Sequence, residues 1–183
     1  VRLKSGDPMI FGRAGEEISQ LRARGIAVDV VPGITAALAA AATLGVSLTH
    51  RDQARSVRFV TGHGHAGGLP EDLDWRGLAD AGTTLMVYMA GRTAGTLARR
   101  LIEQGRAPGT PAVIVANVSR ADEMREARTL GYLAGQTPAM GEGPVLIGVG
   151  EVFAGLRAVA APVAEPVLPV APAVPVAPSN IKA

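Results

Sequence analysis

The stretch Val1–Arg13, VRLKSGDPMIFGR, decides how the rest of the chain is read. Val1 and Leu3 suggest a short strand that runs into a tight turn, then an apolar anchor and a basic residue. Gly6 permits a sharp turn and a close approach of backbone to a ligand, because no Cβ stands in the way. Pro8 fixes its own φ and biases Asp7 away from the helical region. Ser5 and Gly6 are therefore expected to hold N–H groups outside any strand ladder, beside the Asp7 carboxylate. Loops at the carboxyl ends of strands are where α/β sheets bind ligands. Taken alone, the stretch reads first as an ordinary strand-to-helix turn. The pattern downstream changes that.

Working outward, Glu16, Glu17, Ile18, Leu21 and Arg24 fit an amphipathic helix with acids in its first turn, bases in its last and Gly25 closing it. Ile26–Val31 alternates as a strand. Pro32-Gly33-Ile34-Thr35 then opens an alanine-rich helix through Leu44, capped by Thr35 or Gly33, whose small residues on all faces predict burial between layers. Strands are expected at Ser56–Thr61, Thr83–Met89, Pro111–Val115 and Val145–Val149. Thr83–Met89 reads as central and buried on both faces. Helices are expected at Asp74–Ala81, anchored by Trp75, at Thr93–Gln104, and at Glu151–Val159. Residues 126–130 fit a strand, while Leu130, Tyr132 and Leu133 fit the start of a helical turn. From about Ala161, prolines at 162, 166, 169, 172, 175 and 178 forbid helix and sheet, which predicts an extended tail.

Composition sets the outer limits. With 183 residues and 3% aromatics, the core must be built from Ala, Val, Leu and Ile. A formal net charge of +2 argues against a dedicated nucleic-acid binder. The absence of cysteine excludes disulfides and thiolate metal sites and is compatible with a reducing cytoplasm, the expected location. The Ala36–Leu48 run is too short to span a bilayer, and the tail's prolines would leave backbone groups unpaired in lipid. No membrane association is expected.

Several motifs carry possible chemistry. Gly62-x-Gly64-x-x-Gly67 matches the dinucleotide fingerprint, but Leu69-Pro70 follows it in place of a helix, so a lid or interdomain loop fits better than a nicotinamide site. His50, His63 and His65 lack a further ligand at metal spacing, and no metal is expected. Lys4, Arg13, His50, Arg51, Arg55, Arg58 and His63 lie near one another in sequence. Gathered at one cleft they would suit a polyanion; otherwise they are a solvated basic face. The helix start at Gly33–Ala36 suits a carboxylate or hydroxyl-bearing ligand, or is simply a capped helix. Met89, at the end of its strand, is a core residue or the lining of an adenosine pocket. There is no G-x-S-x-G and no P-loop, so hydrolase and kinase readings lack their residues.

In this order, VRLKSGDPMIFGRAGEE, VDVVPGITAALAAAA, VSLTHRDQARSVRFVTGH, TTLMVYM, PAVIVAN and GPVLIGVGEV resemble the tetrapyrrole methylase family, over Val1 to about Val159. The resemblance implies an α/β protein of two domains with S-adenosylmethionine folded into the cleft between them. Here the first domain is expected to be truncated at its N-terminus: residues 1–54 would be its remnant, 55–159 the second domain and 160–183 a disordered tail. The family's cofactor contacts map onto Ser5, Gly6, Asp7 and Ile10, onto Thr35 and Ala36, and onto Met89, Asn117 and Val118. Ser5 and Val118 stand where the family commonly has glycine. Arg13, Thr49, His50, Arg51 and Tyr88 map toward the substrate's carboxylates.

LTHRD and its spacing to TGH match the branch that methylates uroporphyrinogen III at C2 and C7 to give precorrin-2. Another precorrin methylase, or a non-catalytic homologue that binds S-adenosylmethionine or tetrapyrrole, are the alternatives. The family's proposed acid and base residues lie upstream of the GDP loop, so little activity is expected of this chain alone. Family members are commonly homodimers, which makes a homodimer possible here.

Overall fold

The computed structural model describes residues 1–64, 67–136, 139–141 and 143–156. The proline-rich tail and the end of the helix expected at Glu151–Val159 lie outside them. A five-stranded sheet forms the centre. Its strands are β1 (Ser56–Thr61), β2 (Thr83–Tyr88), β3 (Pro111–Ala116), β4 (Met124–Thr129) and β5 (Val145–Val149), in the order β1-β2-β5-β3-β4. β1 pairs parallel with β2, and every other pairing is antiparallel. All six residues of β2 and all five of β5 are buried, as expected for interior strands covered on both faces.

Side chains alternate between the two faces of these strands. Leu85, Val87, Ile114 and Ile147 pack with α3 (Trp75–Leu78), α4 (Ala94–Glu103) and α5 (Leu130–Gly135). Met86, Tyr88, Val113, Val115 and Leu146 pack on the opposite face, against Ala37 and Ala40 of α2 (Ala36–Leu44) and Phe153. The edge strand β4 carries Arg125, Glu126 and Arg128, and charges of this kind discourage pairing with another chain. Both readings of residues 126–130 are realised in succession: β4 ends at Thr129, whose hydroxyl accepts from the Tyr132 N–H and starts α5. Among the described residues no helix is long and apolar enough to cross a membrane.

Three expectations need correction. Residues 1–4 and 26–35 form no strand, and Val1, Leu3, Ile26, Val30 and Val31 are exposed. Alternating apolar residues favour a strand only where a neighbouring strand accepts their backbone groups, and among the described residues none pairs with them. The alanine-rich α2 is covered on one side only: Ala37 and Ala40 are buried, while Leu38 is exposed. After β5 the described chain makes a 3₁₀ turn, Glu151–Phe153, in place of an α-helix there. The first helix, α1 (Ala14–Arg22), follows its expected pattern of acidic first turn and basic last turn.

Candidate functional site

β5 runs antiparallel to both β2 and β3, so its first residues meet their carboxyl ends; Tyr88 pairs with Leu146 and Ala116 with Val145. There the chain leaves β2 and β3 through left-handed residues, Met89 (φ 57°), Asn117 (φ 54°) and Ser119 (φ 63°). Opposite these loops stand the GDP turn and the start of α2. Between the two walls lies a mainly apolar cleft of about 310 Å³. Ser5, Gly6, Asp7 and Ile10 line one side with Thr35 and Ala36; Met89 and Val118 line the other.

The first wall is built by contact between two loops. Gly6 takes φ +66°, and a Cβ at Gly33 would stand 2.1 Å from the Gly6 carbonyl oxygen, so the PGIT turn sits directly on the GDP turn. The Asp7 carboxylate joins them: Oδ1 accepts from the Met9 N–H at 2.8 Å and Oδ2 from the Gly33 N–H at 3.0 Å. Asp7 therefore lines the cleft as a clamp whose acceptors are already engaged. Changing Asp7 to Asn turns one acceptor into an NH₂ that faces an N–H. It is expected to lower the denaturant midpoint by the equivalent of about 1–2 kcal/mol.

Tyr88 ties this wall to the sheet. Its hydroxyl lies 2.6 Å from Thr35 Oγ1 and accepts from the Ala37 N–H at 3.1 Å, which caps the first turn of α2. Thr35 and Tyr88 are both buried, and the Phe11 ring lies 4.9 Å from the tyrosine ring, centre to centre. Tyr88, expected as a substrate contact, lines the cleft with its hydroxyl committed to the frame.

Asn117 does not line the cleft. It is buried behind the wall: its Nδ2 donates to Asp122 at 2.7 Å and its N–H to the Pro144 carbonyl at 3.0 Å. Its Oδ1 is packed so tightly on Gly143 that a Cβ there would come within 1.8 Å. Val118, the next residue, is the one exposed to the cleft.

The basic residues do not assemble into a trough at this cleft. Arg13 lines a separate hollow beside α1 and is paired with Glu16, which by hydrogen bonding and charge holds the guanidinium above its ordinary pKa. Lys4 pairs with Glu17 at 2.9 Å and Arg58 with Asp74 at 3.3 Å. Thr49, His50 and Arg51 are exposed in the turn after α2, where His50 bridges to Ala54 and its Nδ1 accepts from the Asp52 N–H. Nearness in sequence misled here because Lys4, Arg13 and Arg58 each pair with an acid of their own, while Thr49, His50 and Arg51 stay in an exposed turn. No group of three or more metal-ligating side chains occurs among the described residues. Sequence reasoning missed Phe11, Arg120 and the Pro144–Leu146 wall. Phe11 and Pro144–Leu146 lie inside quoted motifs, which carried a signal that could have found them; Arg120 lies in none.

The fold and cleft define a mixed α/β domain whose strand-end loops open onto one cleft. The family described as Tetrapyrrole (Corrin/Porphyrin) Methylases matches residues 1–134, and the chain belongs to it. Siroheme synthase 1 of Serratia proteamaculans is 47% identical over 155 residues, which is 83% of this chain and 31% of that protein. The siroheme synthase of Chromobacterium violaceum is 48% identical over 153 residues, 83% of this chain and 32% of its own. The chain thus spans about a third of these curated relatives. A crystal structure of uroporphyrin-III C-methyl transferase from Thermus thermophilus, complexed with S-adenyl homocysteine, superposes with a TM-score of 0.69 at 36% identity, over 80% of this chain and 63% of that one. The structure of a cobalt precorrin-4 methyltransferase superposes with a TM-score of 0.71 at 26% identity, over 81% and 62%.

Proposed function

We propose that this chain is the cofactor-holding part of a methyltransferase that acts on uroporphyrinogen III at C2 and C7, yielding precorrin-2 for siroheme and cobalamin biosynthesis. The observation that carries the reading is the single cleft with the Asp7 turn on one wall and Met89 on the other. The residues suit S-adenosylmethionine. At about 310 Å³ the cleft falls at the lower end of the small-molecule range, and its apolar lining suits an adenosyl group. The Gly6 turn, free of a Cβ, lets backbone come close to the polar end of the ligand. When bound, the cofactor supplies a sulfonium methyl for transfer to a ring carbon. The chain's own residues hold that donor in one orientation; such positioning is a large part of rate enhancement when a methyl must line up with its acceptor. The chain spans 63% of the Thermus thermophilus uroporphyrin-III C-methyl transferase it superposes on, so it is expected to hold the donor without completing the reaction by itself.

Calorimetry with S-adenosylhomocysteine should show saturable one-site binding, while a fluorescence assay for precorrin-2 or its oxidised product should show little turnover. Absence of binding, or rapid turnover by the chain alone, would contradict the proposal. A second reading, methylation of another precorrin, is favoured by the likeness to the cobalt precorrin-4 enzyme. Product analysis of the complete protein separates the two.

A further inference from the structure

Asp7 and Arg120 are the charged side chains that line the cleft, and the acid is already engaged in the frame. Both Asp7 oxygens already accept backbone N–H groups. Arg120 differs. It sits on the loop after β3, exposed at the rim, and no acid among the described residues pairs with it. The acids of its own loop are engaged elsewhere: Asp122 by Asn117 Nδ2 at 2.7 Å, and Glu123 by the Ser119 N–H at 2.6 Å and by Arg125. Arg125 in turn donates to the Thr43 carbonyl at 2.7 Å and so fastens the loop to the end of α2. The Arg120 N–H donates to the Asn117 carbonyl, and its carbonyl accepts from Glu123. A loop held this firmly fixes the backbone of Arg120 beside a mainly apolar cleft, with an exposed guanidinium that no acid among the described residues engages.

We infer that Arg120 binds a carboxylate of the ligand at the rim of the cleft, by charge-assisted hydrogen bonds of the kind arginine's planar fork makes. The inference rests on the cofactor reading above and adds a residue to it. Two carboxylates could be the partner: the amino-acid end of the methyl donor, or a side chain of the tetrapyrrole. Their shared chemistry is a carboxylate, and probes that lack one or the other tell them apart.

The test uses the chain with Arg120→Gln and Arg120→Lys. Calorimetry is run with S-adenosylhomocysteine and with 5′-methylthioadenosine, which keeps the adenosyl group and lacks the carboxylate; fluorescence titration is run with uroporphyrin III. If the donor's carboxylate is the partner, Arg120→Gln weakens S-adenosylhomocysteine about tenfold and leaves methylthioadenosine unchanged, with Arg120→Lys in between. If the tetrapyrrole is the partner, uroporphyrin binding falls by a similar factor while both adenosyl compounds bind as before. Unchanged binding of all three probes overturns the inference and leaves the cofactor reading standing. So does equal weakening of both adenosyl compounds, which would mark a purely structural role. Failure of the unsubstituted chain to bind S-adenosylhomocysteine removes the cofactor reading and the inference with it.

Discussion

Gly33→Ala is expected to weaken S-adenosylhomocysteine binding by roughly 10- to 100-fold, the affinity equivalent of the cost of overpacking at a binding-site wall. The reason is a backbone collision. A Cβ at position 33 would stand 2.1 Å from the Gly6 carbonyl oxygen and 3.0 Å from its carbon, whereas real Cβ contacts stop near 3.0 Å. No side chain can swing away, since the atoms met are main chain, so the two turns must part. Parting them stretches the Gly33 N–H bond to Asp7 Oδ2, now 3.0 Å, which holds the turns together. The cleft wall then loses its register at Gly6 and Ala36 together. Overpacking of this kind also lowers stability by roughly 1–3 kcal/mol.

Gly6→Ala makes the useful comparison. Its Cβ would have ordinary room, 3.6 Å from the Ile34 carbonyl, but its φ of +66° strains any other residue by roughly 1–2 kcal/mol. Calorimetry on both variants should rank Gly33→Ala as the more damaging. Wild-type affinity in Gly33→Ala would show that the stacked turns do not shape the binding site.

The two glycines also show how far the chain could be read without coordinates. A Gly-Asp-Pro turn and a Pro-Gly pair are local signals, because they report which φ values and close approaches the backbone must adopt. Strands were equally plain: Ser56–Thr61 and Val145–Val149 are short runs of strand-forming residues bounded by turns, and the structure gives them those bounds, the first partly buried and the second buried. Ile26–Val31 carries the same alternation and forms no strand. Alternation reports a preference for a half-buried ladder and says nothing about whether a partner strand is there to complete it.

The site divides in the same way. The placing of Gly6, Thr35 and Met89 about one cleft was an implication of the family resemblance, and the three line one cleft in the structure. Arg120 could not be found, because it lies in a loop with no motif and matters only through the acids that ignore it. The expected cluster of Arg13 with Thr49–Arg51 failed for the opposite reason. Arg13 has Glu16 one helical turn away, and a local pair of that kind satisfies the charge before any distant ligand can.

Tyr88→Phe isolates the polar contact that joins this frame across 53 residues of sequence. The substitution keeps the ring, and with it the contacts to Phe11 at 4.9 Å and Phe59 at 5.9 Å. It deletes one oxygen. Thr35 Oγ1, in a residue only 6% exposed, then loses its 2.6 Å partner, and the Ala37 N–H loses its acceptor at a point where the helix supplies none. A buried polar group left unpaired costs about 1–3 kcal/mol, so the pair should cost about 2–4 kcal/mol after partial relaxation. For a chain of this size that corresponds to a fall in Tm of roughly 5–15 °C, measured by circular dichroism.

Adding Thr35→Val distinguishes a lost bond from a general loosening. Valine matches threonine in shape and removes the orphaned hydroxyl, so the double variant should be less destabilised than the sum of the two single changes. Strict additivity, or a Tm unchanged in Tyr88→Phe, would mean that the tyrosine hydroxyl does not hold α2 against the sheet. The affinity for S-adenosylhomocysteine should fall with stability in Tyr88→Phe, because Thr35 and Ala36 are at once the start of that helix and the floor of the cleft.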